Sequence, residues 1–284
     1  TFSFDFLNQP ASYDINQRLI SYTSQDSHLR AFFVGLLNTC LVAVFGIITA
    51  TIVGFLLGII RLSNNWIASR IVYVFIELTR NVPVLLHILL IHGIIVHVLP
   101  SVRKAHSLGD SIFLSNRGMT IPEPIFGDLF YFTLLAFLVS VICVFLFRSW
   151  AIKKRNDEGK IYPIFFISLF ILIILPLFVF IATGSPLTWD IPKLGRFNLK
   201  GGLTMIPEFL ALWLALSLYT SAFIAEIVRS GILAINKGQW EASQAVGLKR
   251  DRILNLIIIP QALRVIIPPL TSQYLNLTKN SSLA

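Results

Sequence analysis

Long uncharged apolar runs separated by short basic clusters dominate the 284-residue chain. A helix rises 1.5 Å per residue, so about 20 apolar residues cross a hydrocarbon core of roughly 30 Å. Five runs reach or nearly reach that length: Ala31 to Ile60, Asn81 to Val102, Leu129 to Phe147, Ile161 to about Ala182, and Ile206 to Val228. The helix of the second run is expected to start earlier, near Ile71, and Pro83 is expected to bend it, because proline removes a backbone donor. Gly35, Gly46, Gly54 and Gly58 in the first run suit close helix contact. A sixth stretch, Ile253 to Thr278, carries Arg264, Pro260, Pro268 and Pro269, and reads as a broken lead-in to a last span. The segment Arg103 to Asp128 is polar and punctuated by Pro122, Pro124 and Gly127, which predicts an external loop.

Composition agrees with that pattern. The chain is 55% hydrophobic and only 13% charged, with a mean hydropathy of +0.77, whereas soluble domains carry about 25% charged residues. A bilayer is therefore the solvent for much of it. The net charge of +9 follows loop parity rather than forming a nucleic-acid patch. With the amino end outside, the inner loops hold Arg61, Arg70, Arg148, Lys153, Lys154, Arg155, Lys160, Arg229, Lys237, Lys249, Arg250 and Arg252. The outer segments hold Arg18, Arg30, Arg103, Lys104, Arg117, Lys193, Arg196 and Lys200. The dense cluster Arg148 to Lys160 fixes the orientation, and Arg229 to Arg252 is then cytoplasmic. Residues 1–30 form an external amino-terminal segment.

Enzyme chemistry finds no foothold. The sequence has no GxxxxGK[ST] phosphate loop, no HExxH and no GxSxG. His87, His92 and His97 are five apart, so each is turned by about 140° from the last and the three cannot share one metal ion. Cys40 and Cys143 lie inside apolar runs and read as small membrane-facing or packing residues. Two polar elements stand out. Glu77 and Arg80 share a helix face just before Asn81 and Pro83 and can neutralise each other; this is either a polar element beside a substrate path or an interfacial ion pair. In the second, Ser230-Gly231 and Lys237-Gly238 are expected to break the preceding helix. Trp240 to Val246 restarts one, Gly247 ends it, and Lys249 to Arg252 precede Pro260. A short helix of this kind is suited to docking in a groove on a soluble partner.

Glu241-Ala242-Ser243, three residues, Gly247, nine residues, Ile257, one residue, Ile259-Pro260 resembles the EAA loop of ABC importer permeases, with Ser243 and Ile259 as conservative departures. Arg229-Ser230-Gly231-Ile232, Gly238-Gln239, Lys279-Asn280-Ser281-Ser282-Leu283 and Glu77 to Pro83 are similar to the polar amino-acid branch of that family. Two additional spans between residues 103 and 207, and Phe4-Asp5-Phe6-Leu7 with Tyr13-Asp14-Ile15, resemble the larger permeases of general L-amino-acid systems. By that resemblance the chain is expected to continue beyond both ends shown.

The resemblance implies an all-α polytopic membrane protein, a type I (MetI-like) ABC importer transmembrane domain over residues 31–284, with 103–207 an insertion and 237–260 the cytoplasmic coupling loop. It implies a bacterial inner-membrane subunit that is no enzyme itself and binds no cofactor, since ATP and Mg would be used by separate ABC ATPase subunits. The other implied partners are a second homologous permease, a periplasmic amino-acid-binding protein, an L-amino-acid substrate and membrane lipid. Glu241, Ala242, Ser243, Gly247, Leu248 and Arg250, with Arg252 nearby, would contact the ATPase. A zwitterion needs donors for its carboxylate and acceptors for its ammonium. Glu77, Arg80, Asn81, Gln273, Asn276, Lys279, Asn280, Ser281 and Ser282 are the candidates the family pattern supports, and Tyr219, Thr220 and Glu226 are further ones. A narrower glutamine/glutamate or basic amino-acid permease is the alternative within the family. A channel or scaffold without ATP coupling would leave the EAA spacing unexplained.

Overall fold

The computed structural model describes residues 5–195 and 198–282; Phe4, Arg196 and Leu283, used above, lie outside them. The chain divides into two units, one formed by Thr1–Leu108, Phe113–Met119 and Thr204–Ala284, the other by Gly109–Ile112 and Thr120–Leu203. Among the described residues, five helices are long and apolar enough to cross a membrane, or six if one sharply bent pair counts as a span.

In the first unit, α1 (His28–Arg61) starts where the Ser27 hydroxyl accepts the Arg30 amide, and it runs uninterrupted to its terminal arginine. Its partner is α6 (Pro207–Leu233), which opens with a proline at its first turn, where no amide partner is needed. α6 is the centre of the unit: 61% of its apolar window is buried against 28% for α1. Glycine sets how closely the two approach. A Cβ on Gly54 would stand 2.6 Å from Ile224 and one on Gly58 2.9 Å from the Ala225 carbonyl oxygen, so only glycine fits. Gly46 gives the same access to Leu277 of α9 (Ile259–Ser281), whereas Gly35 faces open space. Val42, Leu216, Ile224, Ile266 and Leu277 form the apolar centre where α1, α6 and α9 meet.

The second predicted span is two helices. α2 (Trp66–Asn81) starts five residues before Ile71, because the Asn65 side chain caps it by accepting the Ala68 amide at 3.1 Å. It stops because Val82 precedes Pro83 and is forced into extended backbone (φ −102°, ψ 131°). α3 (Val84–Gly93) departs at 106° to α2 and continues through a π-turn, Ile94–Val98. The proline therefore marks a corner rather than a kink.

Two other expectations are corrected. Ser230-Gly231 does not break α6, and Lys237-Gly238 lies inside the next helix, α7 (Lys237–Ala245). Gly231 is buried because its missing side chain admits Ile266 of α9. The last stretch is not broken either: α8 (Arg250–Ile253), a π-turn at Leu254–Ile258 and α9 follow one another without a gap. Pro260 falls in the first turn of α9, and Pro268 and Pro269 are carried within the helix by the packing of Ile266 and Leu270 into the core.

In the second unit, α4 (Phe130–Glu158) extends eleven residues past Phe147 through a run of helix formers. Gly159 ends it at φ +70°. α5 (Ile164–Ala182) starts three residues after Ile161 and packs back on α4 as a hairpin. Short strands lie in the loops of this unit. Glu123–Phe126 pairs antiparallel with Leu187–Asp190, and Lys193–Leu194 with Leu199–Lys200, while Asp190 accepts the Gly202 amide at 3.0 Å. Only 11% of the apolar window of α4 and none of that of α5 is buried, an exposure that calls for lipid or protein cover.

Candidate functional site

The EAA-type residues form a built loop. Asn236 starts α7 by accepting the Gly238 amide at 2.8 Å. The end of α7 is a Schellman motif: the Gly247 amide donates to Gln244 O at 2.8 Å and the Leu248 amide to Ser243 O at 3.2 Å. That closure requires a left-handed residue, and Gly247 supplies it at φ +77°. Glu241, Ala242, Gly247 and Arg250 are exposed and Leu248 is half-buried. Ser243 is buried, and its hydroxyl is tied to the Gln239 carbonyl. The small residue of the motif thus turns inward and the carboxylate outward. Lys237, Trp240, Glu241, Gln244, Leu248 and Arg250 line a cleft of about 500 Å³, of which Ile253 forms part of the wall. Val246 beside it is 79% exposed, an uncovered apolar group. Gln261 on α9 donates to Gln239 on α7 at 3.3 Å, joining the loop to the last helix. Gln244 and Gln261 were not singled out from sequence, and Lys237 only as a loop charge and helix breaker; the helical spacing of Lys237, Glu241 and Gln244 was the available signal.

The candidate path residues fall into groups. Glu77 and Arg80 of α2 form a loose pair at 3.9 Å, and Arg80 lies 5.3 Å over the ring of Phe223 on α6. Asn81 is exposed at the corner. Thr220 is buried in α6, and the ring of Tyr219 meets that of His87 at 5.7 Å. On α9, Gln273 and Asn280 are half-buried, Asn276, Lys279 and Ser282 exposed, and Ser281 fully buried with its hydroxyl donating to Thr278 O at 2.8 Å. Among the described residues no hydrogen bond or ion pair joins the α2 group to the α9 group; α6 packs against both helices. Glu226 is committed elsewhere. It accepts from Arg229 at 2.6 Å and faces Arg61 of α1 at 3.2 Å, an ion pair that lacks hydrogen-bond alignment at Arg61 Nη1. Arg61 and Arg70 lie 4.7 and 5.1 Å from the Tyr73 ring. This cluster locks α1, α2 and α6 together. Arg61 had been read only as a loop charge, although its place at the end of the longest apolar run was the clue.

Residues 159–284 match the family model described as the binding-protein-dependent transport system inner membrane component. The general L-amino acid transport system permease protein AapQ of Rhizobium johnstonii is 47% identical over 99% of this chain and 70% of its own length. The putative amino-acid ABC transporter permease protein YhdX of Escherichia coli is also 47% identical, over 100% of this chain and 72% of its own. The glutamate/glutamine/aspartate/asparagine transport system permease protein BztB of Rhodobacter capsulatus is 40% identical over 100% of this chain and 73% of its own. A solved amino acid ABC transporter with histidines aligns over 90% of this chain and 71% of its own, at 18% identity and a TM-score of 0.47. Identity at this level over the whole chain, joined to the apolar helices, makes this multi-pass inner-membrane protein a member of the amino-acid ABC transporter permease family.

Proposed function

We propose that this chain is the membrane-spanning permease subunit of an ATP-driven importer and forms part of the translocation path for a broad range of L-amino acids. The observation that carries the reading is the α7 loop, a capped helix with its charged face outward and its cleft open. In this reading α7 seats in a separate ATPase subunit, which alone uses Mg-ATP, through Glu241, Ala242, Leu248 and Arg250. Ser243 and Gly247 hold the shape. The geometry supplies a lever: α7 is bonded to α9 through Gln239 and Gln261, and α8 leads into α9 without a break. A displacement of α7 is therefore transmitted to Gln273, Asn276, Lys279, Asn280, Ser281 and Ser282. Glu77, Arg80 and Asn81 would complete the polar path from α2, with alternating access arising as the helices tilt. A second permease chain and a periplasmic amino-acid-binding protein complete the assembly. Residues 103–207 are an insertion of two spans and their loops, and the α7 loop is cytoplasmic.

The test is uptake of labelled L-amino acids into proteoliposomes holding the co-expressed assembly and its binding protein. Competition by neutral, acidic and basic amino acids alike is expected. Competition confined to glutamate, glutamine, aspartate and asparagine would favour the narrower reading, for which the similarity to BztB speaks. Glu241→Ala should abolish uptake while membrane insertion persists, and normal uptake in that variant would refute the role of the loop.

A further inference from the structure

The end of α1 and the start of α2 enclose a cleft of about 220 Å³, lined by Arg61, Trp66, Ser69, Arg70 and Tyr73. Local bonds shape it: Asn65 caps α2, and the Ser69 hydroxyl donates to the Arg61 carbonyl at 2.9 Å, holding the first turn of α2 against the last residue of α1. The Arg61 and Arg70 guanidinium groups converge on the Tyr73 ring, at 4.7 and 5.1 Å, so the two charges stand within a Debye length of about 10 Å. Their partners differ. Arg61 turns its buried Nη1 to Glu226 at 3.2 Å, a carboxylate that already accepts from Arg229 at 2.6 Å. Arg70 is exposed and, among the described residues, has neither an ion pair nor a hydrogen bond. No acidic side chain among the described residues lines the cleft, and Glu77 farther along α2 is paired with Arg80. The unmet capacity is therefore the open guanidinium of Arg70 and the indole N–H of Trp66, a residue 75% exposed, both in the field of Arg61. An anion satisfies that set, and a cation finds no acceptor there.

The rest of α2 indicates what carries the anion. Residues turn by about 100° each, so Val72, Ile76 and Thr79 form a buried stripe, and Ile67, Ile71, Val74 and Leu78 form an exposed apolar one about 140° round the helix. Trp66 and Arg70 lie between the two. A soluble anion gains nothing from an apolar stripe beside its site, whereas an acyl chain does. The cleft also sits where the apolar run of α1 ends in Arg61, at the level where headgroups and tryptophan meet. Its volume, below the roughly 300–1,000 Å³ of sites that enclose a whole small molecule, suits a headgroup whose chains stay outside. We propose that this cleft binds the phosphodiester of an anionic phospholipid, held by Arg70 and Trp66, with its chains along Ile67, Ile71 and Val74. The site lies at the opposite end of α2 from Glu77, Arg80 and Asn81, and its occupation does not depend on the importer reading.

The experiment uses the full protein with its co-purifying subunits, without ATP, in nanodiscs that mix phosphatidylcholine and phosphatidylglycerol, one or the other carrying brominated chains. Bromine quenches indole emission on contact, and the Trp66 signal is read in each variant as the difference from its Trp66→Phe counterpart. Phosphatidylglycerol is expected to quench Trp66 with about a fivefold preference over phosphatidylcholine, the scale of one basic residue at an anionic surface. Arg70→Gln should bring the two lipids to near parity. Val74→Glu, which gives Arg70 a carboxylate at i,i+4, should do the same, and both positions are exposed, so neither change touches the core. Arg155→Gln, an exposed charge of the other unit, should leave the preference unchanged. Equal quenching by both lipids in the unaltered protein, a preference that survives either α2 variant, or one lost equally in Arg155→Gln overturns the site. A preference abolished by inorganic phosphate but not by sodium chloride at equal ionic strength makes this a free-phosphate site and overturns the lipid. Uptake measured on the same preparations stands apart: if the cleft fails while uptake persists, only the cleft is refuted.

Discussion

The Gly247 position isolates one physical effect. A Cβ there would meet nothing within 4 Å, so substitution brings no clash. What it brings is the strain of an L-residue at φ +77°, about 1–2 kcal/mol for alanine. Asparagine tolerates the left-handed region and should cost less, and valine, branched at Cβ, should cost more. The strain falls on the two closing hydrogen bonds, Gly247 N to Gln244 O and Leu248 N to Ser243 O. A cost of 1–2 kcal/mol shifts the closed-to-open ratio of the cap by a factor of about 5–30. Amide hydrogen exchange on the purified assembly reads this directly: protection at Leu248 should fall by that factor in Gly247→Ala, by less in Gly247→Asn and by more in Gly247→Val. ATPase activity coupled to uptake should decline in the same order, because the frayed cap no longer presents Glu241 and Leu248 in one geometry. Unchanged exchange at Leu248 in the alanine variant, or three variants that behave alike, would refute the reasoning.

The α1 glycines separate helix propensity from packing. Gly35→Ala should stabilise by about 0.5–1 kcal/mol through propensity alone. Gly54→Ala gains the same but forces a Cβ to 2.6 Å from Ile224, and an overpacking cost of about 1–3 kcal/mol cancels or exceeds that gain. Thermal unfolding of the detergent-purified assembly should place Gly54→Ala below Gly35→Ala, and the opposite order would deny the close α1–α6 contact. Arg80→Ala should reduce uptake while the ATPase subunit still copurifies; loss of both together would make Arg80 a structural residue, acting through Glu77 and the Phe223 ring.

Spans and basic loops were legible because they depend on composition over about 20 residues, and the EAA-type loop because its spacing is local. Failures came where a local breaker has a distant partner. Gly231 and Gly247 are the same residue sixteen positions apart, and both were read as helix ends. Gly231 instead stays helical because Ile266, thirty-five residues on, occupies the space of its missing side chain. Gly247 ends its helix because nothing packs there and the chain needs φ +77° to turn. The prolines divide in the same way. Pro83 makes a corner between two helices that each find separate partners on α6, whereas Pro268 and Pro269 ride within a helix held by Ile266 and Leu270. Whether a breaker breaks is therefore a tertiary property. The same holds for Asn38 and Glu208, which lie 170 residues apart and share one cleft only because α1, α3 and α6 converge. The fold spends the Asn38 amide nitrogen on the Gln17 carbonyl and leaves its buried side-chain oxygen without a donor.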